Sequence, residues 1–215
     1  MYDCSTEDYD TNVEKVREMA EIAHSYGATI EGELGHVGDN EGSAEKSGAV
    51  KDPSFYYTDP RQARDFVEKT KVDALAIAVG TAHGAYKLPP KLDFDRIRSI
   101  ARQVSVPLVL HGGSGLTDED FRKAIEAGIS KINIFTDINI AAVEAEFRRF
   151  SDMNKGIIDL IPAAVEAVKQ ETMEKMRLFG STDRIGIPGR ISQQEMDRIV
   201  DLVTLEMKKR LDGRA

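Results

Sequence analysis

The feature that most constrains this chain is a repeated alternation of short, mostly apolar runs with stretches of helical period. The runs are Ala28–Leu34, Asp73–Val79, Val106–Leu110 and Ser130–Phe135. Around them, apolar residues recur at three- and four-residue spacing, first as Val13, Val16, Met19, Ala20, Ile22, Ala23 and Tyr26, then over about 60–69, 93–103, 118–127 and 137–150. A strand apolar on both faces is buried on both, and a helix after each strand is the crossover that lets neighbours run parallel. The expectation is an α/β protein with a parallel sheet. Two further helical stretches, about 157–179 and 192–211, have no strand between them, and Gly180–Gly189, with Pro188, reads as their linker.

A chain of 215 residues with 41% hydrophobic and 31% charged residues can bury one core without a disulfide or metal staple. Lys and Arg number 29 against 37 Asp and Glu, a net charge of −8, which opposes general affinity for nucleic acid or an anionic membrane. Any phosphate must therefore be held locally. The single cysteine, Cys4, has no intramolecular partner, and the acidic start Met-Tyr-Asp-Cys-Ser-Thr-Glu-Asp is unlike a signal peptide. No apolar run approaches the roughly 18 residues of a membrane span. These features predict a cytoplasmic protein.

In parallel α/β folds the carboxyl ends of the strands carry the site. The polar side chains that emerge there are Glu33, His83, His111 and Asn133. Two histidines and a carboxylate on one rim suit zinc, since neutral imidazole and carboxylate match its softness. A lone histidine at a strand end more often only donates a hydrogen bond. Two at equivalent positions, each followed by Gly, favour ligation. Gly112-Gly113-Ser114-Gly115 lies between a strand and a helix, so its N–H groups and the Ser114 hydroxyl are candidates to cradle a phosphate, with Thr136 and the next helix N-terminus adding donors. Alone, such a turn is more often just a tight turn. The Gly35–Asp59 segment has no apolar period, as functional loops often do, and it carries Glu41 as a candidate acid or base. Lys87, Asp137, His24 and His36 read as solvated or structural.

The stretches Glu31-Gly-Glu-Leu-Gly35, Tyr57-Thr-Asp-Pro60, Ala76-Ile-Ala-Val-Gly-Thr-Ala-His-Gly-Ala-Tyr-Lys87, Pro107-Leu-Val-Leu-His-Gly-Gly-Ser-Gly115 and Lys131-Ile-Asn-Ile-Phe-Thr-Asp137 together resemble the class II, metal-dependent ketose-bisphosphate aldolases. The resemblance runs from Met1 to about Ile187. It implies a (β/α)₈ barrel of which about five strands are present, an aldolase domain over 1–187 and a helical tail over 188–215. It also implies reversible cleavage of fructose or tagatose 1,6-bisphosphate to dihydroxyacetone phosphate and glyceraldehyde 3-phosphate, by a homodimer or homotetramer.

By the same resemblance, His83 and His111 match two of three zinc ligands, and Asp3 and Glu33 match a second divalent position. Gly84, Gly112, Gly113, Ser114, Asn133 and Thr136 match the dihydroxyacetone phosphate site, with Ile134 and Phe135 in the same stretch, and Glu41 matches a loop acid that moves a proton at the ketose carbon. Two departures stand out. The family's Asp-His pair, which supplies the third zinc ligand and a general acid, lies upstream of the segment at Met1, so the sequence as it stands is expected to be nearly inactive. Phe135 replaces an Asp found in several members. The rival readings are a truncated chain without activity and a metal-assisted phosphosugar epimerase or isomerase on the same barrel.

Overall fold

The computed structural model describes residues 1–37, 57–81, 90–150 and 156–182. By internal contacts the chain divides into Met1–Phe179 and Gly180–Ala215, and only 180–182 of the second unit are described. The helical stretch expected at 192–211 and the tail over 188–215 lie outside the described residues.

The first unit alternates as the sequence predicts: α1 (Tyr9–Ser25), β1 (Glu31–Leu34), α2 (Pro60–Thr70), β2 (Ala74–Ile77), α3 (Phe94–Ala101), β3 (Leu108–Leu110), α4 (Asp118–Ala127), β4 (Ile129–Ile132), α5 (Thr136–Phe150) and α6 (Ile157–Leu178). The strands pair in parallel in the order β1-β2-β3-β4. Tyr2 forms a one-residue parallel bridge to Gly32 on the other edge of β1. Among the described residues there are thus four strands and a bridge, against the about five strands expected.

Local chemistry sets the element ends. Asp8, Asp59 and Asp93 accept backbone N–H groups at the starts of α1, α2 and α3, and Pro60 opens α2. Thr117 and Asp120 form a reciprocal capping box on α4, each such cap contributing about 1 kcal/mol. The strands are shorter than their apolar runs because backbone groups at their ends are diverted. The Ile30 N–H goes to the Asp73 carboxylate at 2.8 Å, before β1 begins. Past β2, the Ala78 N–H goes to Thr58 Oγ1 at 2.8 Å, and that hydroxyl donates to the Leu34 carbonyl, tying β1 to β2 at their carboxyl ends.

The two faces of the sheet differ in kind. On the helix side Leu34, Leu75, Ile77, Leu108 and Leu110 pack with Val16, Ala20, Phe66, Ile97, Ile100 and Phe121 in the core. Gly32 belongs to this face: a Cβ there would lie 3.0 Å from Val72 and 3.2 Å from Phe66 and Val16, so glycine lets α1 and α2 approach the strand. Strand alternation puts Glu31 and Glu33 on the opposite face. Their register partners on β2 are Ala74 and Ala76, and the next position across, on β3, is Val109, paired with Lys131 of β4. The alanines leave open space above β2, so long side chains from β1 can reach over it.

Helices α5 and α6 pack chiefly on one another. Neither has a fully buried residue, and Ile140, Val143 and Phe150 of α5 and Ile157, Ile158, Ile161 and Val165 of α6 are exposed. Phe179, just past α6, packs against Phe121 of α4 with ring centroids 4.9 Å apart and the rings tilted by 57°, anchoring the pair. No helix among the described residues is long and apolar enough to cross a membrane.

Candidate active site

The open lane above the β2 alanines is crossed by a line of charged groups. His111, directly after β3, bonds through Nδ1 to Glu33 at 2.8 Å and through Nε2 to Glu31 at 2.9 Å. Glu31 receives a further bond at 2.6 Å from Lys131 Nζ. His111, Glu33 and Glu31 are 3%, 1% and 8% exposed, so these charges have lost nearly all their water. Such burial is tolerated only where the charges are paired and hydrogen-bonded.

The electrostatics follow from this geometry. Burial works against a charged imidazole at His111, but the hydrogen bonds to Glu31 and Glu33, reinforced by their charges, reverse it and raise the pKa to about 9. For Glu31, burial works toward protonation, and the bonds from His111 and Lys131 overcome it, holding the carboxyl below its ordinary value. Glu33 differs: among the described residues its one ion-pair partner is His111. Its other oxygen takes only longer bonds, from Ser5 Oγ at 3.3 Å and the Val37 N–H at 3.4 Å. Asn12 donates to the Glu33 carbonyl at 3.0 Å and fixes the strand beneath.

Ser5 links a second carboxylate to this line, since its N–H donates to Asp3 Oδ1 at 2.8 Å while its hydroxyl reaches Glu33. Its Oγ also lies 3.4 Å from His36 Nδ1. The expected pairing of Glu33 with His111 is therefore direct, and Asp3 is one residue removed. Among the described residues no three His, Cys, Asp or Glu side chains form a metal cage, because His111 stands between its carboxylates rather than beside them. The donor set nonetheless fits a divalent cation: His111 would supply a buried imidazole nitrogen, and Glu33 a carboxylate whose one ion-pair partner among the described residues is that imidazole.

The glycine turn after His111 lies against the start of α5. Ser114 Oγ accepts the N–H groups of Phe135 at 3.2 Å, Thr136 at 3.0 Å and Asp137 at 3.4 Å, so this hydroxyl caps α5 from another loop. The Gly113 N–H goes to the Asn133 carbonyl at 3.3 Å, which occupies one donor expected for a phosphate. A Cβ at Gly113 would come within 2.9 Å of Ile132 and 3.0 Å of Ile134, so glycine there permits the close approach of turn and strand. Gly112 has φ +64°, the left-handed region that glycine adopts without strain. Asn133 serves through its backbone, its N–H donating to the Leu110 carbonyl at 3.0 Å. The Phe135 side chain is 77% exposed beside this N-terminus. Ser114→Ala should destabilise the protein by about 1 kcal/mol, the worth of a helix cap, read as a shift in the urea midpoint; an unchanged midpoint would show that water caps α5 equally well.

His83, Gly84 and Glu41 lie outside the described residues. Glu31 and Lys131 are the groups that a search of strand ends overlooks. The signal for them is the alternation Glu-Gly-Glu on β1 beside Ala-Leu-Ala-Ile-Ala on β2, which marks one long polar and one small face at the same register. His24, read as structural or exposed, pairs with Asp73 at 2.9 Å.

The class-II fructose-bisphosphate aldolase family profile matches residues 1–184. The chain is 41% identical over 181 residues to the protein YdjI of Escherichia coli K12, covering 84% of this chain and 62% of that protein. It is 38% identical over 187 residues to a fructose-bisphosphate aldolase of Staphylococcus epidermidis, covering 86% of this chain and 63% of that one. The crystal structure of the YdjI aldolase superposes with a TM-score of 0.72 at 37% identity, over 86% of this chain and 61% of that chain. The chain thus spans less than two thirds of the length of these relatives.

Proposed function

We propose, from the premise that the chain belongs to the class-II fructose-bisphosphate aldolase family, that it serves the reversible aldol cleavage of a ketose 1,6-bisphosphate, fructose or tagatose, to dihydroxyacetone phosphate and glyceraldehyde 3-phosphate. The observation that carries this is the buried Glu33–His111 pair, three residues in sequence from a serine that gathers three N–H groups at a helix N-terminus. The first is a place for a metal and the second a place for a phosphate.

His111, with His83, would hold zinc, and Asp3 and Glu33 a second divalent ion. Bound zinc supplies a Lewis acid that polarises the substrate carbonyl. The chain's own groups do the rest. The N–H groups of Phe135, Thr136 and Asp137 point at one spot and sit at the positive end of α5, so a phosphate oxygen would replace Ser114 Oγ as their acceptor. The Ser114 hydroxyl then donates to the same phosphate. Holding this remote group fixes the reacting carbons, so binding energy is spent on orientation. Glu41 is assigned the proton at the ketose carbon. The parallel sheet is read as part of a (β/α)₈ barrel in a cytoplasmic homodimer or homotetramer, and the exposed apolar residues of α5 and α6 support the association.

The test is to strip the protein with a chelator, restore zinc, and follow triose phosphate release from fructose and tagatose 1,6-bisphosphate together with calorimetric binding of dihydroxyacetone phosphate. Tighter binding with zinc is expected, together with release that is slow but zinc-dependent. Zinc that produces neither would overturn the reading.

A further inference from the structure

We infer that Lys175 and Asp137 are a positioning pair for the phosphate cradle: the ammonium ties the first turn of α5 to α6 and α4, so that the N–H groups of Phe135, Thr136 and Asp137 stay aimed at one spot when a ligand takes them. The inference rests on the reading of that N-terminus as a phosphate site and adds what holds it in place.

Helix α5 is poorly equipped to hold its own start. It has no fully buried residue, so no apolar side chain pins its first turn into the core. Its leading N–H groups converge on Ser114 Oγ, at 3.2 Å from Phe135, 3.0 Å from Thr136 and 3.4 Å from Asp137. A phosphate oxygen that replaces this hydroxyl as their acceptor also removes the cap. The first turn then needs another tie, and Asp137 supplies it, since its carboxylate meets Lys175 Nζ at 3.0 Å. Donor N–H and carboxylate belong to one residue, so restraining the side chain restrains the direction of the donor.

The lysine is itself anchored. Its Nζ lies 3.3 Å from Glu171, one turn back on α6, and 5.3 Å from the ring centroid of Phe121, a fully buried residue of α4. Phe179, four residues after Lys175 and hence on the same side, packs against the same ring. The contacts thus run from the core through Phe121 to Lys175, and from there to Asp137 and the cradle. Lys175 and Asp137 are 17% and 19% exposed, whereas Arg148 and Glu144, paired further along α5, are both more than half exposed. A pair in open solvent contributes almost nothing, and one largely withdrawn from water is stronger and better defined. Burial works against the charge on Lys175, but its bonds to Asp137 and Glu171 more than offset this and keep the ammonium protonated.

Calorimetric binding of dihydroxyacetone phosphate to the zinc-loaded 215-residue chain tests this, with zinc affinity measured on the same variants by chelator competition. Lys175→Met and Asp137→Ala should each weaken the ligand roughly tenfold, within the range by which residues that do not touch a ligand alter its binding. The double variant should be no weaker than the weaker single, because both remove one interaction. Lys175→Arg should restore binding, since a guanidinium keeps both the ion pair and the contact with the ring. Zinc affinity should stay unchanged throughout; its parallel loss in both singles would mark a general loosening of the fold and overturn the pair. Charge alone predicts opposite signs for the two singles, because an anion is held less tightly without Lys175 and more tightly without Asp137. Asp137→Ala that binds as well as the wild type, or better, therefore sinks the positioning role, and does so even where Lys175→Met does not fold. Unphosphorylated dihydroxyacetone separates this failure from that of the parent reading. A wild type that binds it as tightly as the phosphate ester has no cradle, and the pair falls with it, whereas a phosphate preference that persists undiminished in both singles defeats the pair alone.

Discussion

His111→Ala is expected to lower the affinity for zinc by on the order of a hundredfold or more, exceeding the 10- to 100-fold typical of losing a mere supporting group. The imidazole is the group that bonds directly to both Glu33 and Glu31. Without it Glu31 and Glu33 are left buried on either side of the emptied space, with Lys131 still on Glu31 and Glu33 stripped of the one ion-pair partner it has among the described residues. What remains is a harder set, poorer in imidazole nitrogen, which shifts the preference from zinc toward magnesium or calcium. The zinc-to-magnesium selectivity should therefore shrink along with the zinc affinity. His24→Ala is the control, because His24 lies on α1, paired with Asp73 at 2.9 Å and outside the cluster. Chelator competition with both metals checks this, and a selectivity ratio unchanged in His111→Ala would remove His111 from the metal site.

The order of elements was legible in the sequence because each depends on neighbours close along the chain. Asp8, Asp59, Asp93 and Thr117 mark helix starts whether or not the sheet has formed. The strand ends were less legible because distant side chains decide them. Nothing near Ile30 reveals that its N–H goes to Asp73, or that Thr58 will bridge Leu34 and Ala78. The same holds for Ser114, whose capping of α5 depends on the turn after β3 lying beside the end of β4. Helical period likewise announced α5 and α6 but not which apolar residues would stay exposed, since that depends on what packs against them.

The candidate site divides along the same line. Glu33 and His111 stand out because each is a polar residue ending an apolar run. Glu31 opens β1 and Lys131 lies within β4, where a charge is ordinarily evidence for a solvated face. Only pairing β1 with the alanines of β2, and β3 with β4, shows that this face holds a buried charge line. The sheet register is the missing information. It follows from the packing of all four strands and not from any one of them.

That charge line gives the metal-free protein a distinctive pH dependence. His111 titrates at about 9 in the folded chain, against ~6.5 for an unstructured histidine. A raised folded pKa means that the folded state binds the proton more tightly. The stabilisation is thus fully present below pH ~6.5 and is lost as pH rises through about 9. The side chain is only 4% exposed, so solvent does little to screen it, and the two pKa values differ by about 3 kcal/mol of stability. Glu31 has the opposite sign: its lowered pKa contributes stability above its ordinary value, lost as pH falls through the depressed one. Urea midpoints taken in chelator should therefore be highest in weakly acidic solution, fall steadily from pH ~6.5 to 9, and fall again in strong acid. His111→Gln should be less stable throughout and nearly flat over the alkaline window, because the proton whose binding creates the slope is gone. Zinc should flatten the wild-type profile in the same window, because a metal held by His111 requires the imidazole to have lost its extra proton. A wild-type slope that survives unchanged in His111→Gln would assign it to another group and leave the buried histidine uncharged at neutral pH.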